Sequence, residues 1–136
     1  MGNKLFEIIY LGLLEEETLN LTSRITVPSY EVNNLPVYEE WKDGNRIERR
    51  DIIRYQISGS FTLMFFNKNQ YLDFISTYNM AKDDERFDGT VEANVYINNE
   101  DRVVRTRVYM DFEISNQLPI IGMEDADGIE VTIKER

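Results

Sequence analysis

The 136-residue sequence contains neither cysteine nor histidine. Without cysteine there is no disulfide, no thiolate nucleophile and no Cys-ligated zinc, which suits an intracellular or virion-internal setting better than a secreted, disulfide-stapled one. Without histidine, catalytic triads and dyads that use imidazole as the base are closed, as are His-ligated zinc and iron sites. Long apolar runs are missing as well. The best candidate, Leu5 to Leu14, is broken by Glu7 and closed by Glu15, Glu16 and Glu17. It is too short to span a bilayer and lacks the uncharged core and cleavage site of a secretory signal, so a soluble protein with no membrane partner is expected. Proline and glycine are sparse, at 3 and 7 residues, which argues against a low-complexity or disordered chain. Net positive charge is also absent. Lys and Arg number 15 against 25 Asp and Glu, and the balance of −10 repels nucleic-acid phosphates and anionic membranes at long range. A protein partner fits such a surface better.

What the chain does have is apolar and aromatic residues in alternation. Hydrophobic residues make up 42%, with 8 Tyr and 7 Phe, a composition that favours strands. The length suits one domain over residues 1–136, and no internal repeat or Ser/Gly linker divides it. In residues 102–114, Val104, Thr106, Val108, Met110, Phe112 and Ile114 share one parity while Arg105, Arg107, Asp111 and Glu113 share the other, which predicts a strand with one buried face. Val91, Ala93, Val95 and Ile97 alternate in the same way, and Asn98 to Asp101 supply turn residues, so the two segments predict a hairpin.

A second hairpin is expected where Lys42-Asp43-Gly44-Asn45 separates Val37, Tyr38 and Trp41 from the run Arg46 to Tyr55. Ile57, Gly59, Phe61, Leu63 and Phe65 predict another strand, with Met64 and Phe66 on the opposite parity implying a far end covered on both faces. The cover expected is an amphipathic helix at about 68–82, capped by Asn67 or Asn69, with Tyr71, Phe74, Ile75 and Tyr78 on one stripe. Leu5 to Leu14 and Thr18 to Thr26 predict two more strands and Ile129, Val131 and Ile133 a last one, whereas Val27 to Pro36 reads as a loop or irregular edge. The fold class is mainly β, a β-sandwich or small β-barrel, with one packed helix.

No motif for chemistry emerges. Asp83, Asp84 and Asp111 are carboxylates that general acid and base catalysis could use, yet 25 acidic residues make accidental pairs inevitable. Glu124 to Gly128 has two features of a calcium loop but lacks the third alternating ligand and the distal bidentate Glu. Ser58-Gly59-Ser60 lies within a strand and lacks the setting of a nucleophile elbow, so Gly59 reads as a bend or close packing. No catalytic residue, cofactor or metal ligand is assigned, and an enzyme is not expected.

Charge segregation is more informative. Arg46, Arg49, Arg50 and Arg54, with Arg102, Arg105 and Arg107, place positive charge on two strand regions, while Glu15 to Glu17, Asp83 to Glu85 and Glu124 to Asp127 are acidic clusters between elements. Two readings stand side by side. The arginines either form a subunit interface, since opposite patches on one molecule invite head-to-tail contact, or they are wet strand faces balanced by local carboxylates.

The run from Trp41 to Arg54, then Ile57-Ser58-Gly59-Ser60-Phe61-Thr62-Leu63, the helix Tyr71 to Ile75, and the strands Val95 to Asn99 and Val108 to Phe112 together resemble small bacteriophage tail proteins of the tail-tube and distal-tail (baseplate) type, related to type VI secretion inner tube proteins. The likeness spans roughly residues 37–115 and lies in element order and local texture. It implies a homo-oligomer in a hexameric ring, other phage tail proteins as partners, and a virion-tail location after synthesis in the bacterial host cytoplasm. DNA would be only a cargo passing through an acidic lumen, and the regions Leu5 to Leu14 and Pro28 to Pro36 would be arms reaching a neighbour. The alternatives are an acidic monomeric binding module or DNA mimic, and a small carboxylate-dependent β-barrel enzyme or ligand carrier.

Overall fold

A computed structural model of the chain describes residues 4–42, 44, 48–82, 89–113, 121 and 128–136, and for residues 27, 39–42 and 48–50 the backbone alone. The strands β1 (Phe6–Leu11) and β2 (Glu16–Asn20) form a hairpin, followed by single 3-10 turns at Thr22–Arg24 and Val27–Ser29. A long hairpin of β3 (Glu31–Lys42) and β4 (Glu48–Leu63) leads to helix α1 (Lys68–Ala81), and β5 (Val91–Ile97), β6 (Arg102–Asp111) and β7 (Ile129–Glu135) follow. All seven strands join one antiparallel sheet in the order β2-β1-β5-β6-β7-β4-β3. The protein is therefore mainly β with one helix, as the alternation implies, and its single sheet is not closed into a barrel.

The sheet nevertheless returns on itself. The start of β3 lies against the β5–β6 turn, where Asn98 N–H donates to the Val32 carbonyl at 2.7 Å and Val32 N–H donates to the Asn98 side-chain oxygen at 2.9 Å. Asn34 N–H donates to Asn99 Oδ1 at 3.0 Å, and the Asn99 amide donates back to the Asn34 carbonyl at 2.9 Å. Turn side chains thus satisfy an edge that a neighbouring strand would satisfy in a closed barrel. The turn residue Asp101 takes a left-handed conformation (φ 50°), which Asp tolerates better than most residues.

Alternation places the core inside this curl. Phe6, Ile8, Val32, Phe61, Leu63, the four inward residues of β5 and Val131 are fully buried. The Phe61 ring packs 5.1 Å from that of Phe6 and 5.6 Å from that of Tyr30. The Tyr30 hydroxyl lies 2.6 Å from the Tyr96 carbonyl and 2.8 Å from the Leu5 carbonyl, so its proton joins β1, β3 and β5 at one point, and burial pushes its pKa far above the usual phenol range. Gly59 is required where β4 pairs with Val32 of β3, because a Cβ there would run into the Glu31 carbonyl oxygen and lie 2.6 Å from Val32 Cα.

Helix α1 packs against β1 and β5. Asn67 caps it by accepting from Gln70 N–H at 2.9 Å, and the Gln70 side chain reaches back to accept from Phe66 N–H at 3.0 Å. Tyr71, Phe74 and Thr77 are buried, with Ile75 and Tyr78 partly so. The Phe74 ring lies 5.6 Å from Phe65 and 5.4 Å from Phe112, a cluster that seals one end of the curled sheet.

Several segments differ from expectation. The segments expected as two strands, at 46–55 and 57–66, meet without a break in β4, which runs from Glu48 to Leu63. Glu31 to Pro36, expected as loop or irregular edge, is paired as the first half of β3, and Pro36 is tolerated because β3 is an edge strand. β2 stops at Asn20, since Asn20 Oδ1 accepts from Thr22 N–H at 2.9 Å and turns the chain into the 3-10 segment. Phe66 is not covered on both faces but more than half exposed, with the Arg24 guanidinium 5.6 Å above its ring.

Candidate assembly surface

Among the seven arginines expected at an interface, Arg46 lies outside the described residues, and for Arg49 and Arg50 the backbone is placed opposite Trp41 and Glu40. The three on β6 bind carboxylates of their own chain. Arg105 projects from the outer face and donates through Nε to Glu92 at 2.5 Å and through both terminal nitrogens to Glu16 at 2.8 and 3.0 Å. This bidentate fork ties the β1–β2 hairpin to the sheet and holds the Glu16 carboxyl below its ordinary pKa. Arg107 donates to the Thr90 hydroxyl and carbonyl, each at 3.0 Å, and lies 3.8 Å from Glu92. Arg102 pairs with Glu100 at 2.7 Å, and the Asn34 amide followed by Arg102 lowers the Glu100 pKa. On β6 the three arginines are thus engaged by groups of their own chain. Arg54 differs: it is exposed on the outer face of β4 with no ion pair among the described residues.

Two other features lie open. The first is the distal half of the β3–β4 hairpin. β7 pairs with β4 only up to Ser58, so Leu35 to Lys42 and Glu48 to Gln56 run on as a two-stranded ribbon beyond the sheet. The register shifts between Val37 and Tyr38, which pair with Arg54 and Ile52 and leave Ile53 as a bulge that adds twist at the ribbon's base. Leu35, Tyr38, Ile52, Ile53 and Tyr55 each keep 40% or more of their surface in solvent. A lone hairpin is marginally stable in water, and among the described residues no strand beyond β3 and β4 pairs with this stretch. Sequence reasoning found this hairpin but not its projection. The available signal was the apolar pair Ile52 and Ile53 together with Tyr55, which breaks the one-face alternation of a half-buried strand.

The second is the β1–β2 tip. Leu11 is largely exposed, and Leu13 and Leu14 are wholly so, beside exposed Glu15, Glu16 and Glu17. The region Pro28 to Pro36, expected as an arm, is mostly built into the sheet as the start of β3.

Asp83, Asp84 and the Glu124 to Asp127 segment lie outside the described residues, and Asp111 is exposed on β6. Among the described residues no three acidic side chains gather to hold a metal ion, and no helix is long and apolar enough to cross a membrane. Compared with family models, curated proteins and solved structures, the chain matches none at a significant level.

Proposed function

We propose that this chain is a structural subunit of a bacteriophage tail, at the level of the tube or of a distal-tail (baseplate) ring, that assembles with its own copies into a hexameric ring through which DNA passes. The observation that carries the reading is the β3–β4 ribbon, whose exposed Leu35, Tyr38, Ile52, Ile53 and Tyr55 stand clear of the sheet. Such a ribbon gains stability once a second protein surface covers it. The resemblance over residues 37–115 supplies the kind of assembly, and the net charge of −10 suits a conduit that lets DNA slide without adhering.

Light scattering and negative-stain microscopy of the purified protein test this. Rings or tubes are expected, and replacing Tyr38, Ile52 and Tyr55 together by Ser should abolish them while the monomer's melting temperature stays within a few degrees. A strict monomer at all concentrations and salt conditions would refute the reading. A monomer that competes with DNA for a basic protein would identify the acidic mimic instead.

A further inference from the structure

The β3–β4 hairpin loses its support on both sides at the same level. On the β4 side, β7 pairs from Ser58 to Leu63, and just before it the Gln56 amide donates to the Glu135 carbonyl at 2.8 Å. On the β3 side, the β5–β6 turn bonds Val32 and Asn34, ending with the Asn99 amide on the Asn34 carbonyl at 2.9 Å. Beyond these points Leu35 to Lys42 and Glu48 to Tyr55 pair with each other, and among the described residues no further strand pairs with either. Each strand therefore offers an outer row of backbone N–H and C=O groups, about eight residues or roughly 26 Å long, which a strand of another chain would complete.

Three observations identify that strand as part of a second copy's ribbon. Both rows cover the same stretch, so ribbons laid side by side in one direction bring β4 of one copy against β3 of the next. The two strands are then antiparallel, as they already are within each copy. Charge agrees. Of the chain's 25 acidic and 15 basic residues, five of each lie in residues 35–56, so at this segment copies of a −10 protein meet without net repulsion. Within it β3 carries Glu39 and Glu40 with Lys42, and β4 carries Arg49, Arg50 and Arg54 with Glu48 and Asp51, so strands of opposite sign alternate across joined ribbons. Parity agrees as well. Pro36, Tyr38, Ile52 and Tyr55 share by register the face that bears Val32 and Ile57 in the core, and side by side they extend one apolar strip from copy to copy.

We propose that the ribbons of neighbouring copies join edge to edge, β4 of one pairing antiparallel with β3 of the next. Because the two edges differ, the contact is heterologous and closes into a ring or continues as a fibre. The inference rests on the self-assembling reading above and adds to it the edges that meet.

Quenched hydrogen exchange read by NMR, on dilute monomer and on assembled wild-type protein, tests it. In Leu35 to Lys42 and in Glu48 to Tyr55, the amides that face away from the other strand of their own ribbon should exchange at least tenfold more slowly on assembly. Those of β5, already paired on both sides, should keep their rates. Slowing confined to Glu48 to Tyr55 in a particle that stops at dimers would show a two-fold β4–β4 contact and overturn the head-to-tail pairing. Assembly that leaves both rows fast would overturn edge pairing while leaving the self-assembling reading intact. Wild-type protein that never assembles would overturn both.

Discussion

Replacing Gly59 by Ala puts one methyl group where β4 faces Val32 of β3. Glycine to alanine normally stabilises by about 0.4–1 kcal/mol where the backbone accepts it, because the unfolded chain loses freedom. Here the new Cβ would sit 2.6 Å from Val32 Cα and 2.9 Å from the Glu31 carbonyl carbon, as well as against its oxygen. Ordinary contact requires roughly 3.5–4.0 Å, so β3 must move away by about 1 Å. The obstacle is backbone on a paired strand, so no side-chain rotation relieves it. Overpacking of this kind costs about 1–3 kcal/mol, and weakening one ladder hydrogen bond adds roughly 1 kcal/mol. A net loss of about 3 kcal/mol is expected, which for a domain of this size lowers the melting temperature by roughly 10 °C. Urea and thermal denaturation of Gly59→Ala measure it, with Ser60→Ala on the outer face as a control expected within about 0.5 kcal/mol of the parent. A Gly59→Ala protein as stable as the parent, or more so, would show that β3 does not pair with β4 in this register, and the placement of the ribbon would fall with it.

Two further predictions concern charge. Glu16 and Glu100 have folded pKa values held below the ordinary 4.5 by Arg105 and by Asn34 with Arg102 respectively. A depressed carboxyl pKa contributes stability that is present above 4.5 and is lost as pH falls through the folded value. Denaturation midpoints should therefore drop below pH 4.5 less steeply in Glu100→Gln than in the parent, and identical slopes would show that the carboxylate does nothing there. Arg105→Gln should leave the melting temperature within a few degrees of the parent, because the pair is solvent-exposed. Amide exchange in β2 should nevertheless quicken several-fold while β5 and β6 are unchanged; undiminished protection in β2 would mean the fork does not hold the hairpin.

Much of the fold was legible because strands announce themselves through a period of two. The parity of Val91 to Ile97 and of Val104 to Met110 fell on the inner face as expected, and the stripe of Tyr71 and Phe74 with the Asn67 cap placed α1 within a residue of its observed ends. Less legible was anything that depends on which strand lies next to which. Pro36 is a loop signal in isolation, yet it is acceptable in β3 because that strand's other edge has no ladder to feed. The β6 arginines illustrate the same limit. Alternation puts Arg105 and Arg107 on the wet face, but their partners Glu16 and Thr90 lie 89 and 17 residues away in the chain. No local pattern reports such a pair.

By itself, then, the sequence determined a mainly β domain with one helix, an acidic surface, and an absence of the thiol and imidazole groups that much enzyme chemistry needs. These properties are local or additive: alternation, capping and composition do not depend on how elements are arranged. Only the tertiary structure decided that the β6 arginines are paired within the chain, that Arg54 stands apart from them, and that the β3–β4 ribbon runs beyond the last strand that could support it. Those are properties of sheet order. They follow from where β7 ends against β4, a long-range pairing whose energy comes from packing in three dimensions.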